Sequence, residues 1–203
     1  MLTAAWVFQF FGLLIAFMNG WMFSIFYITS VCFFWLYSSP NARWKGRPLL
    51  SFVAIGGSTV VCSVAFGYLS FGGKTFDLNV VLAILGATLL ILSMYPLSQL
   101  YQIDEDKKRG DRTFAVAHGA RGVKISFSIL FLVGVIVLAL ALTSISTVVS
   151  SVFVFVSAIV FIYVYILLKK INPTGAEYKS IMKLKYTAGL SFTLLMLILA
   201  IIL

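Results

Sequence analysis

Long apolar runs recur along nearly the whole chain, and short connectors between them hold almost every charge. A helix needs roughly 20 apolar residues to cross a hydrocarbon core of about 30 Å. Seven runs approach that length: 4–18, 21–38, 49–70, 78–99, 123–143, 147–168 and 185–203. With 62% hydrophobic and 10% charged residues, the 203-residue chain has too little polar surface for a soluble protein. The sequence predicts an all-α, polytopic transmembrane helical bundle of about seven spans, with residues 1–203 forming one domain.

The Lys and Arg residues lie in alternate connectors. Fourteen of the fifteen fall within 39–48, 100–124 and 169–185, and the exception, Lys74, lies in an intervening loop. Because Lys and Arg are held on the cytoplasmic side during insertion, the N-terminus and all three basic connectors are predicted to be cytoplasmic, in the cell inner (cytoplasmic) membrane. The net charge of +9 therefore reflects topology, with attraction to membrane lipid headgroups as a second consequence. No nucleic-acid motif accompanies these bases, so no nucleic-acid partner is predicted.

The connector 100–124 also holds most of the acidic residues. Four of the six acids and four of the fifteen bases lie within 101–113. Carboxylates at a bilayer edge can hold a divalent cation, and nearby cations can hold the phosphate oxygens that the ion bridges. The structural alternative is two i,i+4 ion pairs on an exposed helix end, each worth about 0.2–0.5 kcal/mol. Acidic residues would weaken the effect of the neighbouring bases on membrane topology. Their presence in this connector therefore favours a magnesium site over a loop that only sets the topology.

Helical periodicity limits which of these acids can meet. In one continuous helix, Gln102 and Asp106 would share a face from which Asp104 and Asp111 are turned away. Gly110 is expected to interrupt the helix, so the inward set depends on where the turn begins. We expect Asp106 to point inward first, followed in order of preference by Asp104 and Asp111.

The connector 37–48 carries three cations that alternate with other residues. Arg43, Lys45 and Arg47 follow an aromatic-rich helix end at which Tyr37 lies. One interpretation is a stop-transfer loop with a belt of interfacial aromatic residues. The other is a clamp for a diphosphate, with Tyr37 lining a cavity below it.

The two connectors together resemble motifs of the UbiA-type membrane prenyltransferases. Residues 102–119 are similar to the second aspartate-rich motif of that family, and residues 37–47 are similar to its Tyr-x-x-Pro and Lys element. The two motifs are in the family's order and are separated by two spans. The resemblance implies an all-helical bundle whose central cavity opens to lipid. It also implies two substrates, a prenyl diphosphate and a hydrophobic acceptor that is usually aromatic or a quinone precursor, and the cofactor magnesium (Mg2+).

The resemblance assigns roles to individual side chains. The residues implied to bind magnesium are Gln102, Asp104, Asp106 and Asp111. The residues implied to bind the diphosphate are Arg43, Lys45, Arg47 and Arg112. The implied catalytic residues are Tyr37, Lys45 and Asp106. In this chemistry metal and cationic contacts stabilise the leaving pyrophosphate, and aromatic faces stabilise the allylic carbocation.

Two departures from the family pattern bear on activity. Gln102 stands four positions before Asp106, where the family has an aspartate, and an amide binds magnesium less strongly. The first aspartate-rich motif, expected ahead of the span 4–18, is missing, so the seven spans correspond to the last seven of a nine-helix bundle. The chain is expected to be either a truncated start of a longer enzyme or a shortened family member. For either case we predict weak or no turnover by the 203 residues alone.

Two other functions compete with the enzyme hypothesis. The missing motif favours a non-catalytic, degenerate paralogue that binds an isoprenoid lipid or a partner through the same cavity. A small-molecule transporter is the third candidate, but a coupled ion pathway ordinarily needs ionisable residues inside its spans. We expect no ionisable residue in the interior of the predicted spans, apart from Lys169 and Lys170 at one end. The acids and bases in the remaining connectors favour an enzyme ancestry.

Overall fold

The computed structural model describes residues 2–170 and 178–202, and within these ranges the chain forms helices and short connectors without any strand. The α-helices are α1 Leu2–Met18, α2 Trp21–Ser38, α3 Pro48–Ile55, α4 Cys62–Ser70, α5 Leu78–Met94, α6 Ile103–Lys108, α7 Phe114–Thr143, α8 Thr147–Lys170 and α9 Tyr178–Ile202. A π-helical segment, Gly56–Val61, joins α3 to α4, and a 3-10 segment, Pro96–Gln102, joins α5 to α6. The prediction of an all-α helical bundle is confirmed.

Five described helical segments are long and apolar enough to cross a membrane. They are Trp21–Ser38, Pro48–Ser70, Leu78–Lys108, Phe114–Thr143 and Thr147–Lys170. The apolar helix α1 is shorter, at 17 residues, and α9 extends over 25 residues. Each of the seven predicted spans overlaps one of these helical segments, and the protein is an integral membrane protein.

Two helices begin seven or more residues earlier than the sequence predicts. α7 starts at Phe114 rather than 123, with a kink at Gly119, where φ is 62°. α9 starts at Tyr178 rather than 185, so Lys185 lies inside a helix of the bundle. The expectation that only Lys169 and Lys170 place charge within spans is therefore wrong.

The bundle is held together most extensively by α5 and α7. A Cβ atom on Gly86 of α5 would lie 2.6 Å from the backbone nitrogen of Leu138, and one on Gly134 of α7 would lie 3.1 Å from the Gly86 carbonyl oxygen. Because glycine lacks this atom, the two backbones touch directly, as is common where helices pack in membranes. This contact fixes the relative position of the two helices that flank the connector 95–113.

Aromatic side chains fill the interface between α7 and α8. The rings of Phe127 and Phe161 stack with centroids 5.7 Å apart, and Phe131 contacts both of them. Phe127 is fully buried. At the periphery α1 packs on α2, where the Tyr27 hydroxyl donates to the side-chain oxygen of Gln9 at 2.8 Å. That hydrogen bond satisfies two polar groups that would otherwise face lipid.

Candidate functional site

The turn after α6 brings the end of the acidic segment back onto its beginning. Gly110 has a φ of 74°, and its N–H donates to the carbonyl of Lys107 at 3.1 Å. The N–H of Asp111 donates to the carbonyl of Asp106 at 2.9 Å. These two bonds form a Schellman motif, which ends a helix at a glycine in the left-handed conformation. The predicted interruption at Gly110 is confirmed.

The turn places two carboxylates inside the protein. Asp106 and Asp111 are each only 7% exposed, and the buried Thr113 hydroxyl donates to Asp106 Oδ2 at 3.1 Å. Asp104 is exposed, because it lies about 200° around α6 from Asp106 at 3.6 residues per turn. The expected preference for Asp104 over Asp111 as the second inward acid is therefore wrong. Asp111 is turned inward by the Schellman motif rather than by helical periodicity.

The exposed acid Glu105 has a structural role. Its carboxylate forms an i,i+4 ion pair with Arg109 on the outer surface of α6. The other anticipated pair, Asp104 with Lys108, does not occur among the ion pairs of the described residues. The acidic segment thus has a solvated outer face, as the structural alternative predicted, and a buried inner face with a different set of partners.

The basic loop docks on this buried face. Arg43 Nε donates to Asp111 Oδ1 at 2.8 Å and Arg43 Nη2 donates to Oδ2 at 3.0 Å, which is a bidentate ion pair. Hydrogen bonding to Asp111 raises the pKa of the Arg43 guanidinium. The backbone N–H of Arg112 donates to the Gly46 carbonyl at 3.0 Å. The connectors that follow α2 and α5 therefore form one surface at one end of the bundle, called here the basic end.

Gly46 is essential to the close fit of the basic end. A Cβ atom there would lie 2.6 Å from Asp111 Oδ1, so any side chain would displace the carboxylate or the loop. Arg43 has a φ of 43°, the one described non-glycine residue in the left-handed region. Its strained backbone is held by the ion pair and by its N–H, which donates to the Ser39 carbonyl at 2.8 Å.

Three further cations lie within four residues of the ion pair in sequence. Lys45 is half-buried in the short 3-10 segment Trp44–Gly46, whereas Arg47 and Arg112 are exposed. In the part of the chain that the structure describes, none of the three forms an ion pair with an acid. The basic end consequently presents positive charge that the protein's own described carboxylates do not neutralise.

The basic end offers only a few of the oxygen ligands that magnesium requires. Within residues 2–170 and 178–202, no three His, Cys, Asp or Glu side chains cluster closely enough to hold a metal ion. Both carboxylate oxygens of Asp111 accept hydrogen bonds from Arg43. The side-chain nitrogen of Gln102 donates to the Tyr101 hydroxyl at 3.0 Å, and the side-chain oxygen of Gln102 takes no part in that hydrogen bond. Mg2+ is often held by one or two carboxylates together with substrate phosphates. Asp106 and these few neighbouring donors fit a magnesium ion that is held in part by substrate phosphates. They do not form a magnesium site made of protein ligands alone.

An aromatic cluster lies where α2 and α5 reach the basic end. The hydroxyl oxygens of Tyr37 and Tyr95 are 3.4 Å apart, and both side chains are half-buried. The rings of Phe52 and Tyr95 are nearly perpendicular, with centroids 5.4 Å apart, and the centroids of Phe52 and Phe114 are 5.2 Å apart. Tyr37, a predicted site residue, thus belongs to a group of rings contributed by four helical segments.

A cavity of about 330 Å³ continues from this cluster into the bundle. Residues of α3, α5, α7, α8 and α9 line it, and Tyr95 belongs both to the lining and to the aromatic cluster. Most of the lining is apolar, but Ser157, Lys185 and Ser191 also contribute. The sequence predictions missed Tyr95 and Lys185. A tyrosine directly before Pro96 at a helix end, and a lysine at the start of an apolar run, were the available signals.

Comparison with known proteins decides the family. The sequence model of the UbiA prenyltransferase family matches residues 1–186. This chain belongs to the UbiA prenyltransferase family. A search of curated proteins and a search of solved structures each give no match. Membership in the UbiA family supports a membrane prenyltransferase-like function, prenyl substrates and a lipid environment.

The UbiA-family chain brings together some of its predicted site residues and not others. Arg43 meets Asp111, and Asp106 lies next to that pair through the Schellman motif. Tyr37 contacts Tyr95 in the aromatic cluster. Asp104 lies on the outer face of α6, away from this group.

Proposed function

We propose that this UbiA-family protein transfers an isoprenoid chain from a prenyl diphosphate to a hydrophobic acceptor, aromatic or a quinone precursor, with magnesium on the diphosphate. The observation that supports the proposal is the contact between the acidic turn and the basic loop through Arg43 and Asp111. This contact brings buried carboxylates together with a loop whose other cations form no ion pair among the described residues, and Phe114, which follows the acidic turn, packs in the aromatic cluster that borders the apolar cavity. A substrate with an anionic head and an apolar body matches that arrangement.

The basic end supplies the diphosphate site. A diphosphate carries several negative charges, and Lys45, Arg47 and Arg112 offer positive charge that is unpaired among the described residues. Guanidinium groups bind phosphate oxygens in a bidentate manner, and Lys acts as a point charge. The Arg43–Asp111 pair holds the loop that carries Lys45 against the acidic turn.

Asp106 is the residue proposed to hold magnesium. Its Oδ2 accepts a hydrogen bond from Thr113, which orients the carboxylate. Gln102 and Asp111 are the neighbouring donors, and Asp104 is too exposed to join them without movement of α6. Asp106 would hold the ion together with oxygens of the substrate's phosphates, and the ion would neutralise the charge that develops on the leaving group.

The aromatic cluster is proposed to stabilise the reaction's cationic carbon. The bond between the allylic carbon and the diphosphate oxygen breaks, and both electrons leave with the pyrophosphate. The faces of Tyr37, Tyr95 and Phe52 stabilise the resulting carbocation. A nucleophilic carbon of the acceptor then bonds to the cation, and the acceptor loses a proton. The apolar cavity excludes water that would otherwise capture the cation.

The basic end is proposed to face the cytoplasm. Lys and Arg are retained on the cytoplasmic side during insertion, and the connectors after α2, α5 and α8 hold most of them. The membrane would be the cell inner membrane. A cysteine-accessibility experiment tests this: a cysteine introduced at Lys108 would react with an impermeant reagent only from the cytoplasmic side, and one at Lys74 only from the opposite side.

Replacement of Asp106 tests the catalytic proposal. In membranes that contain the complete polypeptide, Asp106→Asn should reduce transfer of a radiolabelled prenyl chain at least about a hundredfold, because the leaving group loses its metal. Asp104→Asn, an identical change at the exposed acid, should reduce transfer less than about threefold. Undiminished transfer by Asp106→Asn removes Asp106 from the mechanism.

The second candidate function is isoprenoid binding without catalysis. The engagement of Asp111 by Arg43 favours it, because that pair leaves Asp106 as the principal buried carboxylate for an ion. A binder would retain a prenyl diphosphate in the bundle but form no new carbon–carbon bond. Binding of a labelled prenyl diphosphate with no transferred product over prolonged incubation would select this function over the first.

A further inference from the structure

A second cavity, of about 320 Å³, lies between α1 and α2. Trp6, Phe10 and Tyr27 contribute aromatic rings to its wall, Gln9 and Cys32 contribute polar atoms, and the other lining side chains are aliphatic. No charged residue of the described chain lines this cavity, and it shares no lining residue with the cavity that continues from the aromatic cluster. It is therefore a separate site, and its lining matches an uncharged ligand.

Gly12 and Tyr27 hold the side chain of Gln9 in place. A Cβ atom at position 12 would overlap the Tyr27 hydroxyl, so the glycine allows that hydroxyl to reach α1. The hydroxyl donates to Gln9 Oε1 at 2.8 Å and lies 3.0 Å from the backbone carbonyl oxygen of Gln9. The amide oxygen is thereby engaged, and the amide nitrogen is the group left to meet a ligand.

The side-chain nitrogen of Gln9 has no acceptor within the part of the chain that the structure describes. It donates none of the hydrogen bonds found there, and it is accessible, because every buried side-chain nitrogen or oxygen among the described residues has a partner. An N–H group without an acceptor in hydrocarbon costs several kcal/mol. A ligand with an acceptor oxygen in the cavity would remove that cost.

The position of Gln9 along α1 limits where this acceptor can come from. Gln9 lies about 11 Å along the helix from Leu2 and about 14 Å from Met18, at 1.5 Å per residue. Water and lipid headgroups lie outside a hydrocarbon core of about 30 Å, and acyl tails carry no acceptor. The acceptor oxygen therefore belongs to a molecule that dissolves in the bilayer interior, and a ketone or quinone carbonyl is an uncharged acceptor of that kind.

We propose that the cavity between α1 and α2 binds an uncharged, lipid-soluble molecule that has a flat ring system and a carbonyl oxygen. The side-chain nitrogen of Gln9 donates to the carbonyl, and the rings of Trp6 and Phe10 pack against the ring system. Tyr27 is a positioning residue, since it acts through the orientation of the Gln9 amide. The site is distinct from the proposed reaction site, because Tyr27 lies about 15 Å along α2 from Tyr37.

Equilibrium binding of two probes, fluorenone and fluorene, to the complete protein in nanodiscs tests the proposal. The probes share one flat ring system, and fluorene lacks the carbonyl group. Only saturable binding above that of empty nanodiscs is counted, because both probes dissolve in lipid. The wild-type protein should bind fluorenone about tenfold more tightly than fluorene, a difference of about 1.4 kcal/mol. Gln9→Leu should abolish this preference and leave the affinity for fluorene unchanged.

Asn79→Leu is the matched control, because it also replaces an amide by leucine and lies at an exposed position at the start of α5. It should preserve the preference for fluorenone. Tyr27→Phe should reduce the preference without removing it, since the amide keeps its donors and loses its fixed orientation. The carbonyl stretching band of bound fluorenone should shift to lower frequency in the wild-type protein and not in Gln9→Leu, a signature that a purely structural role of Gln9 would not produce.

Equal affinities of the wild-type protein for the two probes, or a preference that persists in Gln9→Leu, would overturn the proposal. A second copy of the chain is the competing source of an acceptor, because Gln side chains form hydrogen bonds between membrane helices. Chemical cross-linking in membranes tests this alternative. A wild-type dimer that Gln9→Leu abolishes, together with no preference for fluorenone, would assign Gln9 to a contact between copies and contradict the ligand site.

Discussion

Arg43 and Asp111 are 68 positions apart in sequence and are joined by two hydrogen bonds of 2.8 and 3.0 Å. The pair connects a basic loop to an acidic turn that follows it in sequence after two intervening membrane spans. Asp111 is buried and Arg43 is partly exposed, so the pair lies at the rim of the proposed site rather than in its interior. Its position makes it the main fastening of the loop that carries Lys45.

Disruption of this pair should weaken diphosphate binding through the position of the loop. Arg43→Gln and Asp111→Asn should each raise the KM for prenyl diphosphate about tenfold, and the double variant should be no worse than either, because residues in one ion pair are energetically coupled. Lys74→Gln, at the opposite end of the bundle, should have no effect. Steady-state kinetics measure all four variants, and fully additive losses would show that the two residues act independently.

A methyl group at position 46 should also disturb the contact between the basic loop and the acidic turn. Gly46→Ala places Cβ 2.6 Å from Asp111 Oδ1, so the variant should be destabilised by about 1–3 kcal/mol, as is typical of overpacking, and should lose transfer activity. Gly67→Ala is the control, because nothing lies within 4 Å of its added Cβ in α4. Thermal unfolding in detergent should show a lower Tm for the first variant and an unchanged or higher Tm for the second.

The left-handed Gly110 should tolerate residues in the order of their ability to adopt a positive φ. Its φ of 74° strains an ordinary L-residue by about 1–2 kcal/mol, whereas Asn adopts this conformation more easily. Gly110→Asn should therefore be the mildest change, Gly110→Ala intermediate and Gly110→Val the most damaging to both Tm and transfer. Equal behaviour of the Asn and Val variants would contradict the Schellman turn as the device that buries Asp111.

Substitutions at Tyr37 should distinguish its ring from its hydroxyl. If the ring face stabilises a carbocation, Tyr37→Phe should lower kcat by less than about fivefold, whereas Tyr37→Leu should lower it about thirtyfold, equivalent to about 2 kcal/mol for a desolvated cation–π contact. Rapid-quench measurement of the chemical step gives the comparison. Equal losses in the two variants would assign the contribution to the hydroxyl and its contact with Tyr95.

The sequence was most informative where local chemistry determines the structure. Apolar runs predicted the spans, because the bilayer sets both their length and their composition. Gly110 was correctly identified as a helix end, since a glycine that follows charged helix residues is a common C-terminal signal. The family resemblance drawn from the two connectors is also confirmed.

The sequence failed where tertiary geometry determines the structure. The rank order of Asp104 and Asp111 depends on which way the chain turns after Gly110, and periodicity within α6 does not contain that information. Lys185 was overlooked because the apolar run alone marked the last span, whereas α9 begins seven residues earlier, at Tyr178. The rotation of α9, set by the burial of Ile181 and Leu184, gives Lys185 its place in the cavity.

The direct backbone contact of α5 with α7 at Gly86 and Gly134 has a mechanical consequence. This close contact opposes sliding of one helix past the other, so we expect the two helices to move as one rigid unit, to which the segment that carries Asp106 is attached at both ends. The basic loop, which carries Lys45, is held on that segment by the Arg43–Asp111 ion pair and by the backbone hydrogen bond from Arg112 to Gly46. Entry of a substrate diphosphate from the aqueous side is therefore expected to displace the basic loop, while α5 and α7 keep their relative position.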